Sequence, residues 1–289
     1  MKWKTKWKVG EAAGIGIFVH WTYWLLPLFL IMSSLTSGAG FAGAVVSVTF
    51  LFAIFGCVVL HELGHALAAR YYGIGTRDIT LYPIGGVASL AQIPRKPSQE
   101  FVIAIAGPAV NVAIAAVLSA GLICFGGVAA VFDVSLVGGS FLANLLAANM
   151  LLVVFNLLPA FPMDGGRVLR SLLAMKLDYV KATMIAARVG QGMAVLLGVL
   201  GIFVFQNPMT LLVAAFVFLA AGAEANMVQV QERMRAASVG FFGASVEPFP
   251  TVTTPVDGGI VWVTEVRAAA QHGDDSGIRL VSYGHRPFK

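Results

Sequence analysis

The residues best suited to chemistry are two histidines and a glutamate in the segment His61-Glu62-Leu63-Gly64-His65. Residues four apart lie on one face of a helix, about one turn from each other, so both imidazoles can bind the same ion. Neutral imidazole is a common zinc ligand, and a glutamate between the histidines can act as base toward a water on the metal. The segment therefore predicts a zinc site with His61 and His65 as ligands and Glu62 as the catalytic base.

A third ligand is expected where a later apolar helix breaks. The segment Asn156–Arg167 contains two prolines and two glycines, which prevent a continuous helix. A break at membrane depth has to face protein or a water-filled cavity, because lipid cannot bond to its backbone. Since a catalytic zinc usually has three protein ligands, Asp164 at this break is the predicted third ligand. A turn or capping role for this aspartate is the alternative.

The composition places these residues in a membrane protein. The 289 residues are 58% hydrophobic and 11% charged, whereas soluble domains carry about 25% charged residues. Ionisable groups inside an apolar run, such as the one that begins near Phe41, usually mark a functional site. Cys57 and Cys124 also lie in apolar runs and lack metal-ligand spacing. The net charge of +5 forms no basic patch with exposed aromatics, so membrane lipid rather than nucleic acid is the expected partner.

The apolar runs predict an all-α polytopic membrane protein with about six transmembrane helices and a small soluble tail. The first of these runs could instead belong to a signal peptide, but it is longer than the apolar part of a typical one. The predicted spans are Gly14–Ser33, Phe41–Tyr71, Phe101–Phe125, Ser140–Leu158, Val189–Phe205 and Met209–Ala223, with a basic amphipathic connector at Arg167–Arg188.

A sharp change in composition divides the chain. Residues 1–226 are predicted to form the membrane domain, and residues 227–289 a cytoplasmic tail that is small or partly disordered. Within the tail, a helical start is expected at Gln229–Ala237 and strands at Ile260–Val266 and Ile278–Ser282.

The basic residues predict the orientation in the membrane. In the six-span scheme all 19 lysines and arginines fall on one side, and the other side keeps only Asp133. The positive-inside rule puts the basic side, and with it both termini, in the cytoplasm. The scheme also brings His61, His65 and Asp164 to the cytoplasmic ends of the second and fourth spans. Residues that are far apart in the sequence would therefore lie at the same depth in the membrane.

The segment Tyr72–Glu100 is too short and too polar for a further span. Ile79, Leu81 and the run Ile84–Leu90 predict short strands around a glycine-rich turn. Beside a membrane site, such strands could dip into the membrane and offer a free edge to an extended peptide, whereas an ordinary surface hairpin is the alternative. Gly85 and Gly86 are therefore candidate substrate-binding residues.

Taken together, these motifs resemble the site-2 protease family of intramembrane zinc metalloproteases. The resemblance covers most of the membrane part, and it rests on His61-Glu62-Leu63-Gly64-His65, Gly107-Pro108-Ala109-Val110-Asn111 and Asn156–Arg167, with Leu81–Ala88 similar to a membrane-dipping loop of the family. It implies a catalytic core of three helices and one zinc ion per chain, held by His61, His65 and Asp164, with Glu62 as acid and base.

The resemblance also implies roles for two asparagines. Asn156 would help to hold or polarise the substrate carbonyl, and Asn111, a further candidate for the substrate-binding region, would act in packing and positioning. The family implies regulated intramembrane proteolysis of a single-span membrane protein, such as an anti-sigma factor or a precursor protein. Tyr72–Glu100 is too short for the PDZ domain of some members, and the tail has no CBS pattern.

Two other functions are weighed against proteolysis. A zinc or other cation transporter would be expected to carry ligands on several spans and inverted repeats, neither of which is seen. A membrane binding protein without catalysis would not need the intact Glu62. His20, in the predicted first span, has no neighbouring ligand in the sequence and is left outside the predicted site.

Overall fold

The computed structural model describes residues 5–92, 94, 96–135, 140–204, 206–243, 252–256, 259–267 and 279–287, with side chains up to residue 234. The chain forms two compact units, Met1–Asn226 and Met227–Lys289. The elements that lie or begin in the first unit are β1 (Lys6–Ala12), β2 (Ile15–His20), α1 (Leu25–Thr36), α2 (Gly40–Tyr71), β3 (Thr76–Tyr82), β4 (Gly85–Leu90), α3 (Pro97–Gly126), α4 (Phe141–Leu157), α5 (Asp164–Ala174), α6 (Tyr179–Phe203) and α7 (Pro208–Gly243). Short 3-10 helices lie at Trp21–Trp24 and Val128–Phe132.

Long apolar helices dominate this first unit. Four of them, α2, α3, α6 and the Pro208–Met234 part of α7, are long and apolar enough to cross a membrane. Two shorter apolar helices, Trp21–Thr36 and α4, accompany them. Large side chains such as Phe29 and Leu219 are exposed on these helices, as expected where lipid is the solvent. The protein is therefore an integral membrane protein, while the count of six spans and the orientation stay predictions.

The predicted first span is wrong over its amino-terminal part. Gly14–Ser33 does not form one helix, because Ile15–His20 is the strand β2 and α1 begins only at Leu25. Ala13 and Gly14 have φ angles of 51° and 78°, which turn the chain back so that β2 pairs with β1. Ile15 and Val19 are both buried on one face of β2, at a spacing that fits a strand. Apolarity alone had favoured a helix here.

The described part of the chain is mostly helical, as predicted, but the short β segment that was expected is part of a four-stranded sheet, so the protein is not all-α. The strand order is β1-β2-β3-β4, with a parallel pair in the middle and antiparallel pairs on both sides. The predicted strands around Gly85-Gly86 are confirmed as β3 and β4, and β4 lies at an edge of the sheet. Ile79 of β3 packs with Ile15 of β2 and Ala66 of α2. The sheet therefore lies directly against the helix that carries both histidines.

Helices α2 and α3 approach each other closely beside the histidines. A Cβ on Gly64 of α2 would lie 2.7 Å from the carbonyl oxygen of Ala106 on α3. About two turns earlier on α2, the Asn149 side chain of α4 donates hydrogen bonds to Cys57 Sγ at 3.4 Å and to Leu145 O at 2.9 Å. Small residues and a buried amide thus pack α2 against α3 and α4, as is typical in membranes.

The predicted break after the fourth apolar helix is confirmed. Helix α4 ends at Leu157, a cis peptide joins Phe161 and Pro162, and α5 begins at Asp164. The connector predicted at Arg167–Arg188 is corrected in its second half, because Tyr179–Arg188 is the first part of α6. The Asp178 side chain caps that helix by accepting a hydrogen bond from Val180 N at 3.1 Å.

The second unit contains an antiparallel sheet of β5 (Val252–Val256), β6 (Gly259–Arg267) and β7 (Arg279–Pro287) in that order. The two predicted strands fall on β6 and β7, although Ile278 lies outside the described residues, and β5 was not predicted. The predicted helical start, Gln229–Ala237, is a continuation of α7 rather than a separate helix.

Candidate metal centre

Helix α2 and the first residue of α5 bring three ligand atoms together. The Nε2 atoms of His61 and His65 are 3.0 Å apart, and Asp164 Oδ2 lies 3.1 Å from each of them. All three side chains are buried or nearly so. In the described part of the chain these residues form a group whose ligand atoms lie within 4.8 Å of one another. The structure thus joins two segments that are far apart in the sequence.

The hydrogen bond of His65 fixes which ring nitrogen is free. Its Nδ1 lies 2.6 Å from the carbonyl oxygen of Ile103 on α3, and a carbonyl can only accept, so Nδ1 carries the proton. The Nε2 lone pair then points at His61 and Asp164. This arrangement is the usual one for a metal-bound histidine, whose second nitrogen donates to a carbonyl or carboxylate. Two imidazoles and one carboxylate, all aimed at one point, fit a zinc ion with an open fourth position.

Gly107 of α3 forms the wall behind the two imidazoles. A Cβ at this position would collide with His65 Nε2 and would lie 2.7 Å from His61 Nε2. No side chain larger than a hydrogen atom therefore fits there without moving the rings. Gly107 belongs to the second motif on which the family resemblance rests, and it lies directly against both histidines.

Gly165 and Gly166 allow close packing of the chain beside Asp164, as Gly107 does beside the two histidines. A Cβ on Gly165 would collide with the carbonyl oxygens of Leu157 and Leu158, and one on Gly166 would lie 2.7 Å from Phe161 N. The start of α5 can therefore fold back tightly against the end of α4. This close approach holds the Asp164 backbone next to α2.

Glu62 lies between the histidines and the edge strand β4. Its Oε2 accepts a hydrogen bond of 3.1 Å from the backbone N–H of Ala88. A Cβ on Gly86 would be 2.8 Å from Glu62 Cγ, so this glycine lets β4 come close to the glutamate. Because the Ala88 N–H is bonded to Glu62 and not to β3, it belongs to the free edge of β4. The edge of the sheet and the predicted base are therefore in direct contact.

One cavity of about 540 Å³ joins all of the predicted site residues. Its lining residues include His61, Glu62, His65, Gly85, Gly86, Asn111, Asn156 and Asp164. Asn156 is partly exposed, whereas Asn111 is fully buried and neither atom of its amide has a hydrogen-bond partner in the described residues. A buried, unpaired amide facing a cavity can bond to something that enters the cavity.

His20 lies apart from this group. It caps the 3-10 helix at Trp21–Trp24, with its Nδ1 2.7 Å from Thr22 Oγ1, and its ring stacks on Tyr82 at 5.0 Å. His20 is not among the residues that line the cavity. The sequence analysis missed the Ile103 carbonyl, because a backbone oxygen leaves no mark in the sequence. It also missed a buried ion pair between Arg170 and Glu100, because nothing in their spacing links them.

The fold and the site together define a membrane protein with a buried cluster of two histidines and one aspartate that could hold a metal ion, and with an adjacent glutamate. The model of Peptidase family M50 matches residues 49–136 and 135–197. A zinc metalloprotease of Methanocaldococcus jannaschii is 39% identical over 218 residues, covering 75% of this chain and 60% of the relative. A protein of Synechocystis sp. is 36% identical over 246 residues, covering 79% of this chain and 62% of the relative.

A solved structure agrees with these sequence matches. The site-2 protease from Methanocaldococcus jannaschii superposes with a TM-score of 0.55 at 37% identity, covering 76% of this chain and 95% of that one. This chain belongs to peptidase family M50, the family of the site-2 proteases. The predicted family is confirmed, and the names of the relatives agree with the predicted enzyme class and cofactor. The chain spans about 60% of the length of the sequence relatives it matches.

Proposed function

We propose that this protein is an intramembrane zinc endopeptidase, which hydrolyses a peptide bond in or near a transmembrane segment of a membrane-tethered protein. The observation that carries the proposal is the arrangement of one cavity, where three converging ligand atoms, a glutamate and a free strand edge meet. His61, His65 and Asp164 would hold the zinc ion, one per chain. When bound, zinc lowers the pKa of a coordinated water and polarises the scissile carbonyl.

Glu62 is the group that moves protons in this scheme. It follows His61 directly on α2 and reaches into the same cavity as the ligands. Its carboxylate accepts a proton from the attacking water and then delivers it to the nitrogen of the leaving amine. The Ala88 N–H holds this carboxylate beside the edge of β4, where an extended substrate would lie.

Two amides in the cavity wall are placed to hold the substrate. Asn156, at the end of α4, is partly exposed and would donate to the scissile carbonyl oxygen. Asn111 has both amide atoms unpaired, so a polar group of the substrate or a water would complete its hydrogen bonds.

The edge of β4 can form hydrogen bonds with a locally unfolded stretch of the substrate. A helical substrate hides its carbonyls in its own hydrogen bonds and has to open locally before it can be cut. Pairing with β4 would replace the hydrogen bonds that are lost, and Gly85 and Gly86 leave the edge accessible beside Glu62. A paired strand would also compete with Glu62 for the Ala88 N–H.

A proline scan of the sheet edges tests this pairing. Ala88→Pro removes the N–H that faces the cavity, so cleavage of a model single-span substrate is expected to fall strongly. Val9→Pro is the matched control, because Val9 is exposed on β1, the opposite edge of the same sheet, at an irregularity in the β1–β2 register. Equal cleavage by both variants would rule out pairing at β4.

The activity itself is tested with Glu62→Gln in proteoliposomes that contain a single-span substrate. We expect this variant to keep one zinc ion per chain and to lose cleavage by a factor of at least about 100, since it cannot accept a proton. Glu11→Gln makes the same change at an exposed residue on β1 and should cleave normally. Zinc flux that survives in Glu62→Gln, together with no cleavage by the wild type, would favour a cation transporter.

The substrate is proposed from the site and the family, as a single-span membrane protein such as an anti-sigma factor or a precursor protein. The cytoplasmic position of the site and of both termini rests on the distribution of basic residues. Crosslinking of the Glu62→Gln variant in native membranes, followed by mass spectrometry, would identify the bound protein. Recovery of soluble proteins alone would contradict this substrate class.

A further inference from the structure

A buried arginine on the helix that begins with Asp164 has no part in the mechanism above. Arg170 of α5 is only 3% exposed, and its Nε and Nη2 donate to Glu100 Oε1 of α3 at 2.8 and 2.5 Å. Its Nη1 donates to Glu224 Oε1 of α7 at 2.6 Å. The guanidinium thus ties α5 to two other helices. Removing these charges from water is unfavourable, and a buried ion pair often adds no net stability, so stability alone does not explain them.

The same guanidinium also contacts the chain on the other side of Asp164. Its carbon lies 5.0 Å from the ring centre of Phe161, which is fully buried in the break between α4 and α5, and 5.2 Å from that of Tyr179. Arg170 therefore touches the segment that leads into Asp164 and lies on the helix that leaves it. A movement of Asp164 would therefore disturb the contacts of Arg170 with the rings of Phe161 and Tyr179.

Helix α3 supplies no ligand, yet it contacts both sides of the metal centre. Ile103 O accepts the hydrogen bond from His65 Nδ1, and Glu100, about one turn earlier on α3, accepts from Arg170. One rigid helix thus orients a ligand from α2 and holds the element that carries the ligand of α5. Productive metal geometry requires ligands to be placed within about 0.5 Å, which such a shared support can provide.

We propose that Arg170 is a positioning residue, which holds Asp164 in place at the metal by its ion pair with Glu100. The proposal rests on the proposed role of Asp164 as a ligand. Arginine suits this task because its planar fork fixes direction as well as distance, which a lysine ammonium does not. Glu224, whose side chain is 27% exposed, holds α7 and lies on the far side of the guanidinium from the α3 contact.

The test compares Glu100→Gln with the matched control Glu224→Gln, which makes the same change in the other partner of Arg170. Zinc dissociation constants are measured by chelator competition in detergent, and the visible spectrum of the cobalt-loaded protein reports the ligand geometry. Loss of a supporting contact typically weakens metal binding by about 10- to 100-fold. We expect that loss and an altered cobalt spectrum for Glu100→Gln, and less than about a threefold change for Glu224→Gln.

A second variant covers the case in which Glu100→Gln does not fold. Arg170→Lys keeps the buried positive charge but loses the fork, and it should also weaken zinc binding and change the cobalt spectrum. A lower melting temperature with an unchanged zinc constant and spectrum, in whichever variant folds, would overturn the proposal. If Asp164→Asn leaves zinc binding intact, the proposed metal site itself fails, which is a different result from normal zinc binding in Glu100→Gln alone.

Discussion

Replacing Gly107 with alanine should weaken zinc binding through one added methyl group. The new Cβ would collide with His65 Nε2 and would lie 2.7 Å from His61 Nε2. Neither ring can easily retreat, because His65 is held by the Ile103 carbonyl and both side chains are buried. The methyl group therefore has to displace the ligands or separate α3 from α2.

The size of the effect follows from the crowding. Forcing an extra methyl group into a packed site costs about 1–3 kcal/mol. If the ligands move, this cost appears in metal binding, and since about 1.4 kcal/mol corresponds to a factor of ten, the zinc dissociation constant should rise roughly 5- to 150-fold. Substrate cleavage at limiting zinc should fall in parallel.

Gly121→Ala is the matched control on the same helix. A Cβ at Gly121 meets no heavy atom within 4 Å, so this variant gains the same methyl group without a clash. Both proteins are titrated with a zinc chelator of known affinity, and their cleavage of one model substrate is compared. A zinc constant for Gly107→Ala within twofold of that for Gly121→Ala would refute the geometry described for the ligands.

Two further predictions concern a cavity amide and a surface ion pair. Asn111→Leu should raise the melting temperature, because it removes a buried amide whose atoms have no partner in the described residues. The same variant should lower kcat/KM by roughly two- to tenfold, because one hydrogen bond to the substrate is lost. An unchanged kcat/KM would contradict a substrate contact at Asn111. Asp78→Asn should destabilise the protein at neutral pH, because the Lys6 ammonium at 2.6 Å, chief among its partners, lowers the pKa of the Asp78 carboxyl. The stabilisation is present above the unfolded pKa of about 3.9 and is lost as the pH falls through the lowered folded value. The difference in melting temperature from wild type should therefore shrink in acid, and a difference that is constant with pH would contradict this.

The convergence of the three candidate ligands could be predicted because their positions follow local rules. The spacing of His61 and His65 fixes their common face on any helix, and the prolines and glycines around Asp164 fix a break in any apolar helix. These constraints do not depend on the rest of the fold. The structure then brings the three side chains together.

The first predicted span failed for the opposite reason. An apolar run beginning at Gly14 satisfies both a membrane helix and a buried strand, and only the turn at Ala13-Gly14 and the partner strand decide between them. Strand β5 was missed for a different reason, because Val252–Val256 is short and contains Pro255, which argues against a strand. Contacts between distant elements were equally out of reach, since neither the Ile103 carbonyl nor the Glu100–Arg170 pair has a fixed spacing in the sequence.

The central claim is that His61, His65 and Asp164 hold one zinc ion, and zinc K-edge X-ray absorption of the purified protein tests it most directly. We expect one zinc per chain, with a first shell of nitrogen and oxygen only at about 2.0–2.2 Å and the outer-shell scattering of two imidazoles. The Asp164→Asn variant, measured in the same way, should lose bound zinc or change its first shell. A sulfur shell near 2.3 Å, which only Cys57, Cys124 or a methionine could supply, or zinc well below one per active chain, would contradict the account.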